Sequence, residues 1–338
     1  MEEPPCKEEA LLLLHKVTSI ERFHELSKVA VKVREEECGN IFKLDGFIGP
    51  ITECETDPPC RYCSRASVNT IFRKPLSENE IRMAVEVLRD ETSVHRVELG
   101  GGTVWSGAGE LVIKAVKIVK EVAPHLKVWI NVGPSLNLGD LLKLKELEVI
   151  EVCSSLETIN PKVFVEAKPG DDIEARMKLA EEIDKVGLGL TSVMMVGIGS
   201  TYEDYVEHIF WLKRFKHLSH FPITGFRPIP GTPFASRPMA SPLEVAKVGA
   251  VARLVLRKVD ISFGGMMNDP RLLPLWIMAG ANRAIHLGPH VHRHNAAWSR
   301  LAQLSGEVRR KTIGELEFID LTPLTRRLIR EAGMEPEI

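Results

Sequence analysis

Short apolar runs rich in β-branched residues recur along this chain at roughly 30-residue spacing, the repeat length of a strand, a helix and their two loops. They are IFKLDGFIGPIT (41–52), HRVELG (95–100), KVWINVG (127–133), LEVIEVCS (147–154), LTSVMMVG (190–197), ITGFRPI (223–229), VDISFGG (259–265) and RAIHLG (283–288). Between them, apolar positions at helical spacing predict helices over 77–91, 109–123, 172–186, 202–215 and 242–258. Ser77 with Glu80 reads as a capping box, and Gly187 as a helix stop. Eight such alternations predict a parallel sheet closed into a (β/α)8 barrel of the TIM type. A doubly wound open sheet is the alternative, because periodicity does not report closure. Two further helical patterns, 7–17 and 19–37, precede the first strand. The expected organisation is a helical segment over 1–40 packed on the barrel, the barrel itself over 41–290, and a short C-terminal extension over 291–338.

Composition narrows the class of partner. The 338 residues carry 44 basic and 46 acidic side chains, a net charge of −2, so nothing favours a nucleic-acid surface. No apolar run approaches the ~18 residues of a membrane helix, and the acidic start MEEPPCKEEA lacks the apolar core of a secretory signal. Six cysteines without secretory context predict reduced thiols or metal ligands in a cytoplasmic protein.

Three of those cysteines, Cys54, Cys60 and Cys63, fall within ITECETDPPCRYCSRAS (51–67), just after the first strand. The C-terminal face of a barrel is where active sites are built. Asp57, Pro58 and Pro59 enforce a loop there. A closed zinc site takes four ligands, and Cys6, Cys38 and Cys153 have no matching spacing. Three thiolates can instead hold an iron–sulfur cube with one iron left open.

A three-cysteine loop after the first strand of a β/α barrel resembles the radical S-adenosylmethionine (SAM) enzymes of the biotin synthase-like group. Their usual spacing is C-x3-C-x2-C. The C-x5-C-x2-C found here is similar to that of the HmdB (HcgA) family, which is associated with making the iron–guanylylpyridinol cofactor of [Fe]-hydrogenase. The resemblance implies a [4Fe–4S] cluster on Cys54, Cys60 and Cys63. It also implies SAM on its open iron, reductive cleavage to methionine and a 5′-deoxyadenosyl radical, a small-molecule substrate, and an electron donor such as ferredoxin or flavodoxin. It implies roles elsewhere too. Gly101, Gly102 and Thr103 would meet the methionine amino group, although Thr103 stands where the family carries an acid. Glu157, with Ser155, would hold the ribose, and Arg176 the methionine carboxylate. Ile198, in GIGSTYED, would pack on the adenine, and Tyr62 would cover its other side. A biotin synthase-like or other maturase acting on a different molecule, and a non-catalytic iron–sulfur protein, are the alternatives.

Weaker candidates are Arg227, Asn131 and Met266, which sit near strand ends where a substrate would be met. Glu151, Cys153, Ser155 and Glu157 alternate along one strand end and so share a side. His290, His292 and His294 are spaced to chelate a metal, but follow the last strand in a polar stretch and are expected in a solvated tail. Only Cys153 lies on a predicted core strand, too few thiolates for a second cluster.

Overall fold

The computed structural model describes residues 3–66, 74–264, 269–293 and 307–337. Each apolar run supplies a strand. The first is Ile41–Leu44 and Gly46–Gly49, broken at Asp45. Then follow Arg96–Gly100, Lys127–Asn131, Glu151–Cys153, Gly189–Thr191 with Met194–Val196, Leu218–Gly225, Asp260–Phe263, and Arg283–Ala284 continued by Pro289–Arg293. The sixth strand starts five residues before the apolar run that revealed it. Its opening Leu218-Ser219-His220 is polar in sequence, yet His220 is fully buried inside the sheet.

The strands pair in parallel in chain order, for example Gly46 with Val97, Val97 with Val128, Ile130 with Val152 and Val152 with Leu190. The series continues through Phe221 with Ile261 and Ser262 with Arg283. Arg283 and Ala284 then pair with Lys43 and Leu44 of the first strand, so the curled sheet returns to its start. This is the β/α barrel architecture expected from the alternation, and all strand C-termini open on one face.

The helices lie where the periodicity placed them: Glu78–Glu91, Ala108–Val122, Ile173–Val186, Tyr202–Lys213 and Pro242–Val255. Ser77 and Glu80 form the capping box, and Gly187 ends its helix at φ 79°. Leu138–Glu146 and Pro161–Ala167, of nine and seven residues, are too short to reveal a period; Asn137 and Asn160 cap them. Lys7–Lys16 and Ile20–Cys38 pack outside the sheet against Tyr202–Lys213 and Pro242–Val255.

The chain beyond 290 joins the sheet. Leu316–Asp320 pairs antiparallel with Pro289–Arg293 and with Arg309–Ile313, and Glu335–Pro336 lies along Ile41–Phe42. His290 and His292 are therefore not in a solvated tail. They are buried between the Gly46–Gly49 and Leu316–Asp320 strands. His294 lies outside the described residues.

The strand starts enclose charge. Arg283, fully buried, donates to Asp45 Oδ2 at 2.6 Å and to Glu151 Oε1 at 2.8 Å. Asp45 also accepts from Arg96 Nε at 3.1 Å and Trp129 Nε1 at 2.9 Å. Burial would raise both carboxyl pKa values, but Arg283 overrides it and holds them low. Five strands thus meet at one ion cluster. Removing one partner of a buried pair strands the other charge, at a cost of about 3–5 kcal/mol. Arg283→Ala should lower the urea-unfolding free energy by that order. Arg327→Ala, which breaks surface pairs to Glu307 and Glu331, should cost under about 1 kcal/mol. Equal losses in the two variants would refute the central place given to this cluster.

Candidate active site at the mouth of the barrel

The cysteine loop runs straight on from the first strand and is held by backbone. Ile51 N donates to Gly100 O at 2.9 Å, Gly102 N to Thr52 O at 3.1 Å, and Glu55 N to Thr103 O at 2.7 Å. The loop therefore lies against Gly100-Gly101-Gly102, where the second strand ends. A Cβ on Gly102 would sit 2.3 Å from Cys54 Cβ and 2.5 Å from Glu53 O, and one on Gly101 would sit 2.2 Å from Thr52 Oγ1. No side chain fits there, so glycine at these positions is a condition for seating Cys54.

The far end of the loop is pinned elsewhere. Arg61 N donates to Ala167 O at 2.8 Å, and Arg61 O accepts from Phe234 N at 3.1 Å. A Cβ on Gly170 would meet Pro58 O at 2.3 Å, so the 168–171 turn closes over the Asp57-Pro58 corner. Arg65 reaches back to Thr56 O at 2.5 Å, and Cys54 Sγ lies 3.3 Å from Thr56 Oγ1.

Burial pushes the Cys60 thiol up to about 12, and burial likewise raises Cys63. Such thiols stay protonated unless a metal displaces the proton. Cys63 is in electrostatic reach of both Cys54 and Cys60. Among the described residues no three His, Cys, Asp or Glu side chains, these thiols included, are gathered closely enough to hold a single metal ion. A cube takes each thiolate on a different iron, so its ligands need not meet at one point. Three soft donors on one backbone-anchored loop fit that group better than a mononuclear site.

Around this loop a buried charge network is built from the fourth strand's exit. Glu157, at φ 62°, accepts from Lys168 Nζ at 2.5 Å. Lys168 lies 3.3 Å from Asp171, and Asp171 takes both Arg176 Nε at 2.9 Å and Nη2 at 2.6 Å. Arg176 further donates to Ser155 O at 2.7 Å and to Thr103 Oγ1 at 3.3 Å. Burial opposes ionisation of Asp171, but Lys168 and Arg176 outweigh it and bring its pKa down to about 2. Two cations and two anions are thereby matched in a nearly dry site. Arg176 bridges the glycine run and the fourth strand, bringing the expected Thr103, Ser155, Glu157 and Arg176 into one connected set.

Other expected residues fall variously. Tyr62 packs on the apolar core, and burial together with Glu157 and Cys60 pushes its phenol well up. Ile198 is fully buried, with its carbonyl accepting from Arg237 Nη1 at 3.0 Å. Gly197 N donates to Tyr205 Oη at 2.8 Å, and Thr201 caps the following helix with Asp204. Glu151 is not at the mouth with Cys153 and Ser155 but two residues lower, in the ion cluster. Arg227 is exposed, and Met266 lies outside the described residues. Lys168 and Asp171 escaped sequence reading because FVEAKPGDD (164–172) looks like any polar turn. The proline–glycine pair marked the turn but not the burial.

Comparison with known proteins agrees with this geometry. The Radical SAM superfamily model matches residues 49–212. An uncharacterized protein of Methanocaldococcus jannaschii is 29% identical over 335 residues, covering 98% of this chain and 84% of its own length. Biotin synthase of Carboxydothermus hydrogenoformans is 27% identical over 268 residues, 76% of this chain and 80% of that protein. Among solved structures, methylornithine synthase (PylB) superposes with a TM-score of 0.81 at 21% identity, covering 100% of this chain and 95% of that one. HydG, a maturase of the [FeFe]-hydrogenase, gives 0.78 at 17% identity over 99% of this chain and 72% of that one. With a three-cysteine loop seated on a glycine run at the mouth of a β/α barrel, the chain carries a Radical SAM superfamily domain and is an enzyme of that class, whose cofactors are a [4Fe–4S] cluster and SAM.

Proposed function

We propose that this enzyme acts in biosynthesis of the iron–guanylylpyridinol cofactor of [Fe]-hydrogenase, on its pyridinol ring. The observation that carries the reading is the C-x5-C-x2-C spacing of Cys54, Cys60 and Cys63. A barrel shared with HydG, itself a hydrogenase maturase, supports it. When bound, the cluster and SAM supply one-electron sulfonium cleavage, giving methionine and a 5′-deoxyadenosyl radical that takes hydrogen from the substrate. The protein holds, orients and excludes water.

Cys54, Cys60 and Cys63 hold the cluster. Gly101, Gly102 and Thr103 present backbone to the methionine amino end. Arg176, already spanning Thr103 and Ser155, receives the methionine carboxylate, for which a planar guanidinium is suited. Glu157, steadied by Lys168, accepts from the ribose hydroxyls with Ser155. Ile198 and Tyr62 border the adenine. Ferredoxin or flavodoxin supplies the electron.

The biotin synthase relatives favour a second reading, sulfur insertion. That chemistry draws on a second iron–sulfur centre, which needs about four protein ligands inside the barrel. Cys153 is the one cysteine on a barrel strand, and Cys6 and Cys38 sit at the ends of the outer helices. Deleting the gene in a host that makes [Fe]-hydrogenase should abolish the guanylylpyridinol cofactor and leave biotin unchanged. The opposite pattern would replace the first reading with the second.

Two expectations concern the site itself. Replacing Cys54, Cys60 and Cys63 together with Ala should remove the visible absorption of anaerobically reconstituted protein, whereas Cys6→Ala and Cys38→Ala should keep it. Gly102→Ala should also lose most iron, because its Cβ collides with Cys54. Full iron content in Gly102→Ala would show that the loop has another seat.

Glu157→Ala and Arg176→Ala should each weaken SAM binding about tenfold or more, the effect of losing one charge-assisted hydrogen bond. Equilibrium dialysis with labelled SAM measures this, and iron content reports whether the fold survives. Wild-type affinity in both variants would contradict the assignment.

A further inference from the structure

Between the ion cluster at the strand starts and the charge network at the mouth lies a layer that neither uses. We propose that Glu98, in this layer, recognises the substrate by accepting a hydrogen bond from an N–H donor on it. The proposal rests on the radical SAM reading of the mouth for what happens to that substrate, not for where it binds.

Strand periodicity sets the level. Glu98 follows Arg96 by two residues, Asn131 follows Trp129 and Cys153 follows Glu151, so each stands one step above a member of the lower cluster and on the same face. Cys153 Sγ in turn lies 3.1 Å from Ser155 Oγ, one step below the mouth. Both Glu98 and Glu157 are in electrostatic reach of Cys153, so the layer adjoins the cofactor side directly.

Its lining is not fully covered. Phe47, Asn131 and His286 are only half-buried, although most of the strand residues beside them are fully buried. The Phe47 ring lies across Gly49 and Gly100, where a Cβ would approach it to 2.7 and 2.5 Å. It meets His286 edge-on at 5.0 Å between centroids. His286 sits at φ 61°, in the break between the two halves of the last strand, which brings its Nε2 to 3.0 Å from Glu98 Oε2. A histidine held in the left-handed region is the kind of local strain that gathers at ligand sites.

Charge accounting identifies the missing partner. Below, Asp45 and Glu151 each lie against Arg283; above, Glu157 lies against Lys168 and Asp171 against Lys168 and Arg176. Glu98 is 1% exposed, and among the described residues its partners are the Asn131 amide at 2.9 Å and His286. Neither is a permanent cation. A carboxylate has about four acceptor positions, and a substrate N–H can take one that these two leave. The aromatic wall of Phe47 and His286 suits a flat ring bearing that N–H, and an alkylammonium would satisfy Glu98 equally. Both sources share the donor.

The test is binding to the full-length, anaerobically reconstituted protein by saturation-transfer NMR, with and without SAM. The probes are 2-pyridone, n-butylammonium and N-methyl-2-pyridone. At least one N–H probe should bind, and N-methyl-2-pyridone, which lacks the donor, about tenfold or more weakly by comparison. Preference for 2-pyridone marks a ring N–H, and preference for butylammonium an amine; either supports the proposal. Glu98→Leu should bring the favoured probe down to the N-methyl level while iron content is kept, and the wild-type comparison stands even where that variant fails to fold. Failure of both N–H probes to bind, or equal binding of N-methyl-2-pyridone, would overturn the proposal. SAM cleavage assayed in the same preparation separates the two readings. Its loss with probe binding intact sinks the mouth assignment, and the reverse sinks only the role given to Glu98.

Discussion

The guanidinium of Arg283 is the interaction on which the architecture turns. It joins the strand that closes the barrel to the one that opens it, through Asp45, and reaches across to the fourth strand through Glu151. An apolar filling would satisfy a barrel interior equally well in area. A matched ion cluster adds geometry, because a buried guanidinium is tolerable only where its carboxylates stand at hydrogen-bond distance. Trp129 and Arg96 complete the set by donating to the same Asp45. The floor of the site is thereby fixed before any ligand binds.

Matched charge recurs at the mouth with a different purpose. Glu157, Lys168, Asp171 and Arg176 form a chain of alternating sign that links the fourth strand's exit to the glycine run. Asp171 is held ionised although buried, because it lies against Lys168 and Arg176. Such a network is preorganised, so a cofactor bound there would meet oriented donors and acceptors rather than water. The glycine run serves the same end sterically. It lets the cysteine loop approach the second strand closely enough that backbone hydrogen bonds, rather than long side chains, set the loop's position.

Between these two levels the interior is less symmetrical. One carboxylate, Glu98, stands among neutral or switchable groups beside a half-covered aromatic ring. The buried carboxylates above and below it lie against arginine or lysine, whereas Glu98 lies against an amide and an imidazole. Glu98 and Cys153, between the floor and the mouth network, are each 1% exposed, so a reaction there would be kept from solvent.

Much of this was legible in the chain. The β/α repeat reports the barrel because parallel strands need crossover helices, and each helix carries its own period and caps, as at Ser77 and Gly187. The grouping of Cys54, Cys60 and Cys63 on one loop was equally plain, since clustered thiols and adjacent prolines are local features. What sequence alone did not yield were contacts between distant segments. Nothing in RAIHLG marks Arg283 as the partner of Asp45, 238 positions away. Nothing in AKPGDD marks Lys168 as buried, and the polar look of PHVHRH concealed that His290 and His292 are buried between two strands. Periodicity and spacing are local properties, so the sequence by itself determined the elements and the three-cysteine loop. Burial of a charge is decided only by what folds on top of it, so tertiary structure alone chose which charged side chains joined the floor cluster and which the network at the mouth.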